Sequence, residues 1–180
     1  DAPFIYAGAE DDHYILAKTK DALIIAIVPK PGKDKEAVET VMKEVKRVDQ
    51  YGFTGTEINR ESESFLSSLE KIYNNRDKQK NDFYVPQYVR NFLENEPIPS
   101  LEVEYNTYKM LATQLNKMQA TTGMASDLFK ELTASTDTNF VCLAMYPEKE
   151  GVTIPTADNL KQAISAAKQA KVEAYVDNVK

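Results

Sequence analysis

One cysteine, one histidine and no tryptophan occur in 180 residues. A lone cysteine, Cys142, excludes an intrachain disulfide. It also leaves a zinc site of four cysteines, or of two cysteines and two histidines, without donors. His13 alone cannot supply a zinc motif of two histidines and a carboxylate, and neither H-E-x-x-H nor H-x-x-E-H nor C-x-x-C occurs. G-x-G-x-x-G, the phosphate-binding P-loop and G-x-S-x-G are missing too. There is no stretch of 18 apolar residues and no signal-peptide pattern, so no membrane span is expected. Lys and Arg number 22 against 28 Asp and Glu, a net charge of -6. No cationic cluster dominates a face, and a nucleic-acid partner is not expected.

What is there is an ordinary globular composition, with 42% hydrophobic and 28% charged residues. A chain of this length can bury a core without staples, and one domain over residues 1–180 is the expectation. "PFIYAGA", "HYILAKT" and "ALIIAIV" are short and β-rich, and acidic or Lys-Asp punctuation separates them. They predict three strands, the third (residues 22–28) buried on both faces. Glu10, Asp11, Asp12 and His13 read as a solvated turn, because on a strand their side chains would alternate and could not converge on a metal. The chain has no initiator Met and opens as if a strand were already under way, which predicts a fragment of a longer protein.

A helical stripe of Val38, Val41, Met42, Val45 and Val48 follows, ended by Gly52 as a C-cap. Thr54 and Glu57 form a T-x-x-E capping box, and the helix after it carries Ile58, Phe65, Leu66, Leu69, Ile72 and Tyr73 on one face. Further helices are expected around Val85–Leu93, from Ser100 as N-cap through Leu115, around Met124–Leu132, and after "IPT" through Ala167. Residues 140–146 read as a return strand, with Cys142 a small buried hydrophobe. Strands, then a block of helices, then a strand and a helix predict an α+β fold, a mostly antiparallel sheet with helices on one face.

Ten tyrosines stand out, and Tyr73, Tyr84, Tyr88, Tyr105 and Tyr108 all fall in the helical block. Helix packing with wet hydroxyls accounts for most of them, and a peptide-contacting surface is the sharper reading. Glu57, Glu61, Glu63 and Glu70, interspersed with Arg60 and Lys71, read as capping and solvated pairs. On the residues alone, no catalytic constellation emerges.

The stretch "GFTGTEINRESESFLSSLEKIYNNRDK" and its continuation to "FLENEPIPS" carry a recurring pattern. It is a "GFT-x-x-E" helix start, an Arg three residues later, "E-x-x-Y-N-x-R-D-K" and "F-L-x-x-E-P-I-P". Here the motif residues are Thr54, Glu57, Arg60, Glu70, Tyr73 and Arg76, then Phe92 to Pro99. The pattern resembles the second, non-catalytic domain of insulinase/pitrilysin-type zinc metallopeptidases, the bacterial periplasmic branch above all. "DAPF", "KTKDAL", "PEKEG" and "PT-x-x-x-L" extend the resemblance over nearly the whole chain.

The resemblance implies a metallopeptidase-like αβ domain, truncated at its N-terminus, that forms the C-terminal portion of that second domain. It implies a parent with zinc in its first domain, on H-x-x-E-H plus a distal Glu, whose motif Glu activates a zinc-bound water. In that setting this chain would hold no catalytic residue and no cofactor of its own. It would pack on the catalytic domain of the same polypeptide, wall a chamber for peptide substrates, and reside in the periplasm. Family members whose last domain clamps substrate carry an Arg on a strand and a Tyr seven residues later. Leu23 stands near that Arg position and no tyrosine follows, which points to the second domain. Some relatives lack the zinc motif, so a domain of a zinc-less homologue serving as an assembly or binding module is the alternative. The isolated fragment is expected to self-associate through open strand edges.

Overall fold

A computed structural model describes residues 1–17, 20–118, 121–134, 139–147 and 149–177. Side chains of residues 12–17, 20, 115–118 and 121–122 are outside this description, so the expected roles of His13 and Leu115 fall outside the described residues. Lys18 and Thr19 of the expected "HYILAKT" strand are likewise outside them.

The architecture is α+β. Strands β1 (Phe4–Ala17) and β2 (Lys20–Pro29) form a two-stranded antiparallel sheet. Helices α1 (Asp34–Tyr51), α2 (Gly55–Asn74), α3 (Asn81–Glu94), α4 (Leu101–Met118), α5 (Thr121–Thr133) and α6 (Ala157–Gln169) follow. The chain divides into two compact units. The first comprises residues 1–52 and 125–180, the second residues 53–124.

Four expectations are corrected. The first two expected strands are one, because Glu10, Asp11 and Asp12 pair with Ile24, Leu23 and Ala22 instead of turning. A ribbon of two strands leaves water close to every position, so carboxylates do not interrupt it. For the same reason residues 22–28 are partly or largely exposed, not buried on both faces. Residues 140–146 form no strand, and Val141 (86% exposed) and Leu143 (78% exposed) face solvent. β-propensity needs a partner strand to act through, and none pairs with these residues among those described. Cys142 is accordingly exposed.

In the first unit α1 packs against α6 and also touches both strands. The buried core among the described residues includes Ala37 and Val41 of α1, Ala163, Ile164 and Ala167 of α6, and Val172. The three alanines are fully enclosed, and short side chains on facing ridges let the two helices approach closely. Val38, Met42, Val45 and Val48 widen the α1 stripe as half-buried neighbours. Lys46 ties the pair together, its Nζ donating to the carbonyls of Lys168 (2.5 Å) and Ala170 (2.7 Å) at the α6 C-terminus. Tyr51 adds a hydroxyl bond to the Val172 carbonyl at 3.2 Å.

Helix α6 starts on Thr156, whose hydroxyl accepts from the Asn159 amide while Asn159 Oδ1 accepts from the Thr156 amide. Helix α1 ends at Gly52, whose φ of 73° and ψ of -173° lie where a side chain is strained.

In the second unit α2 packs on α4. Ile58, Leu66, Leu69, Ile72 and Tyr73 form a half-buried stripe, and Phe65 meets Tyr108 edge to face at 5.2 Å. Helix α3 ends on Asn95 in the left-handed conformation (φ 57°). The "ENEPIPS" turn is fixed by Arg90 Nε on Glu96 Oε2 (2.8 Å) and by Asn91 Nδ2 on the Glu96 carbonyl (2.7 Å). Ser100 Oγ then accepts from the Val103 amide at the start of α4. The expected apolar stripe of α3 is exposed, from Val85 and Tyr88 to Phe92, itself 85% exposed.

Candidate functional site

The six motif residues do not assemble into one constellation. Thr54 and Glu57 sit at the start of α2, while Glu70, Tyr73 and Arg76 sit at or just past its end. Thirteen residues of helix separate Glu57 from Glu70, about 20 Å at 1.5 Å per residue.

At the start, Thr54 Oγ1 accepts from the Glu57 amide at 3.2 Å, and Glu57 Oε2 accepts from the Thr54 amide at 2.8 Å. The Thr54 hydroxyl also donates to that carboxylate oxygen at 2.8 Å. Two otherwise orphan helix amides are thereby satisfied, and the carboxylate lies at the positive end of the helix dipole. Arg60 follows one turn later as an exposed side chain.

At the other end α4 completes a cluster. Tyr73 and Tyr105 stack with ring centroids 4.9 Å apart and planes 7° from parallel. The Arg76 guanidinium lies 4.5 Å from the Tyr73 ring centre and donates to the Tyr73 carbonyl at 3.0 Å. Lys109 Nζ stands 5.3 Å from the Tyr105 ring centre and 3.4 Å from its hydroxyl. The Tyr105 hydroxyl reaches Glu70 Oε1 at 3.5 Å. The cluster is thus two stacked phenols with a cation against each, and Glu70 beside one hydroxyl. Offset stacking and cation–ring attraction each favour this order.

Lys109 and Tyr105 lie outside the sequence motif. Their signal is an aromatic–cation pair four residues apart on one helix, which places both on one face. The other tyrosines fall elsewhere: Tyr84 meets Phe83 edge to face at 5.1 Å, and Tyr88 is exposed on α3.

The cluster can bind through charge and ring faces. Among the described residues no group of three or more His, Cys, Asp or Glu side chains converges as a metal site. No helix of the described residues is long and apolar enough to cross a membrane. In the first unit Tyr146 is pushed up to about 12 by burial, then by the hydrogen bond and negative charge of Asp34.

An antiparallel hairpin followed by a helical block, with its last helix returning to pack on its first, is the fold class that these elements define. No protein-family model matches the chain, and no curated protein matches it. Solved structures do share the fold. The first half of the periplasmic protease PqqL from Escherichia coli superposes with a TM-score of 0.61 at 16% identity, over 97% of this chain and 36% of that one. The periplasmic protease PqqL itself gives the same TM-score and identity over 99% of this chain and 19% of its own. The chain thus spans about a third of one and a fifth of the other. At such identity the likeness shows the fold alone.

Proposed function

We propose that this chain is the non-catalytic second domain of a zinc-dependent metalloendopeptidase, a structural element that walls the substrate chamber of a periplasmic enzyme. The observation that carries the reading is the fold likeness over 97% of the chain to the first half of a periplasmic protease. The spaced motif from Thr54 to Arg76 supports it independently, because it lies in the residue order and owes nothing to the superposition.

In this reading the catalytic zinc belongs to another domain of the same polypeptide, and this chain's residues hold shape. The Thr54–Glu57 box fixes where α2 begins, and the Tyr73–Tyr105 stack fixes how its far end meets α4. The alternative, an assembly or binding module of a zinc-less homologue, differs only in what accompanies the chain.

The test is to read the full polypeptide, express it, and measure its zinc content and peptide hydrolysis beside those of the 180-residue chain alone. The reading expects H-x-x-E-H plus a distal Glu in the parent, hydrolysis lost on chelation, and neither zinc nor activity in the isolated chain. A parent without the zinc motif establishes the binding-module alternative. Zinc-dependent hydrolysis by the isolated chain overturns both.

A further inference from the structure

We infer that the end of α2, the turn after it and the facing part of α4 form a docking patch for acidic segments of polypeptide. Over residues 70–80 the sequence "EKIYNNRDKQK" carries Lys71, Arg76, Lys78 and Lys80 against Glu70 and Asp77. Lys109 joins them through the ring stack. The rest of the second unit holds three cations and eight carboxylates, so the cations are concentrated in this stretch of the chain and on Lys109.

Helix capping accounts for Arg76 but not for Lys71, Lys78, Lys80 or Lys109. The last carbonyls of α2 are already served: Lys71 by Asn75 Nδ2 at 2.8 Å, Tyr73 by Arg76 at 3.0 Å and Ile72 by Gln79 Nε2 at 3.5 Å. Nor are the cations neutralised by one another's neighbours. Ion pairs hold Lys30, Lys33, Lys43, Arg47 and Arg90; among the described residues none holds Lys71, Arg76, Lys78, Lys80 or Lys109. All five are exposed.

Arg76 and Lys109 are held against tyrosine rings, so a ligand meets them already ordered, which lowers the entropy lost on binding. Charge complementarity selects an anionic partner. Its class follows from the rings and the net charge. Each tyrosine has a ring and a cation against it, so neither is an open platform for a base. A chain of net charge -6 also repels a long polyanion, whereas a short run of Asp and Glu engages the patch alone. This inference does not rest on the peptidase reading, since it concerns only this chain's surface.

The test uses the 180-residue chain and a short fluorescein-labelled peptide rich in Asp and Glu, followed by anisotropy at low and physiological salt. The same peptide with Asn and Gln in place of the acids, and an oligothymidylate of equal length, are the comparisons. Binding of the acidic peptide is expected to exceed that of its amide counterpart and to weaken with salt, because exposed charges are screened over about 8 Å at physiological ionic strength. Lys78→Glu/Lys80→Glu should weaken it about tenfold, the equivalent of roughly 1.4 kcal/mol. Lys149→Glu/Lys161→Glu, the same charge change elsewhere, should act far less. Lys78→Gln/Lys80→Gln repeats the measurement without added repulsion, and circular dichroism melting checks that each variant is folded. The inference is overturned if the amide peptide binds as tightly, if both patch variants bind like the unaltered chain, or if the oligonucleotide binds more tightly than the peptide.

Discussion

A β-carbon on Gly52 would lie 2.6 Å from the hydroxyl oxygen of Ser126. Ser126 is buried, on the first turns of α5, so the hydroxyl has little room to withdraw. Gly52 also holds a φ of 73° with ψ near -173°, a region open almost only to glycine. Gly52→Ala therefore meets conformational strain of about 1–3 kcal/mol and a steric clash together. Thermal melting should show a drop at or above the upper part of that range. Gly32, also at positive φ (72°) but with nothing within 4 Å of an added Cβ, should tolerate alanine better. Equal losses at both positions would mean that the Ser126 contact has no weight.

Thr54→Ala removes the hydroxyl that accepts from the Glu57 amide, and the expected loss is about 1 kcal/mol. Thr54→Ser keeps the acceptor and should retain most of the stability. Denaturant unfolding separates the two variants. Equal midpoints for Ala and Ser would place the start of α2 elsewhere.

How far the sequence predicts the molecule differs between its helices and its strands, and the reason is range. Thr54–Glu57 and Thr156–Asn159 are satisfied within three residues, and the stripes along α1, α2 and α6 repeat within one turn, so both are visible in a linear string. Strands are satisfied only by partners. The acidic residues 10–12 looked like a break but lie mid-strand, opposite Ala22–Ile24. Residues 140–146 have strand composition but pair with no strand among the described residues. The candidate site divides along the same line. Glu70, Tyr73 and Arg76 are spaced as a motif on and just after one helix. Tyr105, 32 residues beyond Tyr73, enters only when α4 folds back on α2.

That stack can be weighed by a double-mutant cycle on Tyr73→Leu and Tyr105→Leu. Stacked aromatic pairs contribute about 0.5–1.5 kcal/mol beyond the area they bury, and residues in contact should show non-additive losses. Chemical denaturation of the two single variants and the double variant is expected to return a coupling in that range. Strictly additive losses would reduce the pair to two independent apolar contacts.

Lys46 spans α1 and α6 with its ammonium against two carbonyls. Lys46→Met retains most of the aliphatic stem and removes the charge-assisted bonds, each of a kind that contributes roughly 1.5–3 kcal/mol. The half-buried position keeps the Met chain covered, so the expected net loss is about 1–2 kcal/mol, the smaller figure allowing for water at the freed carbonyls. The last turn of α6 should also lose amide-exchange protection, and a global loss without that local signature would count against the cap.

Tyr146 provides the pH dependence. Burial raises its phenol to about 12 from an ordinary value of 10, and Asp34 adds to the shift through a hydrogen bond and its negative charge. Between those two values the unfolded chain gives up a proton that the folded chain retains, so fewer protons are bound unfolded than folded and stability falls as pH rises. The contribution is complete below pH 10 and is lost as pH climbs through the folded value. Tyr146→Phe keeps the ring and deletes the titrating group, so its stability should fall less steeply with pH above about 10 than that of the unaltered chain. Urea midpoints measured from about pH 9 upward give both slopes. Spectrophotometric titration of the phenolate absorbance should meanwhile lose its latest-titrating phenol in the variant. Parallel urea slopes, with the late phenol still present, would place the perturbed group at another tyrosine.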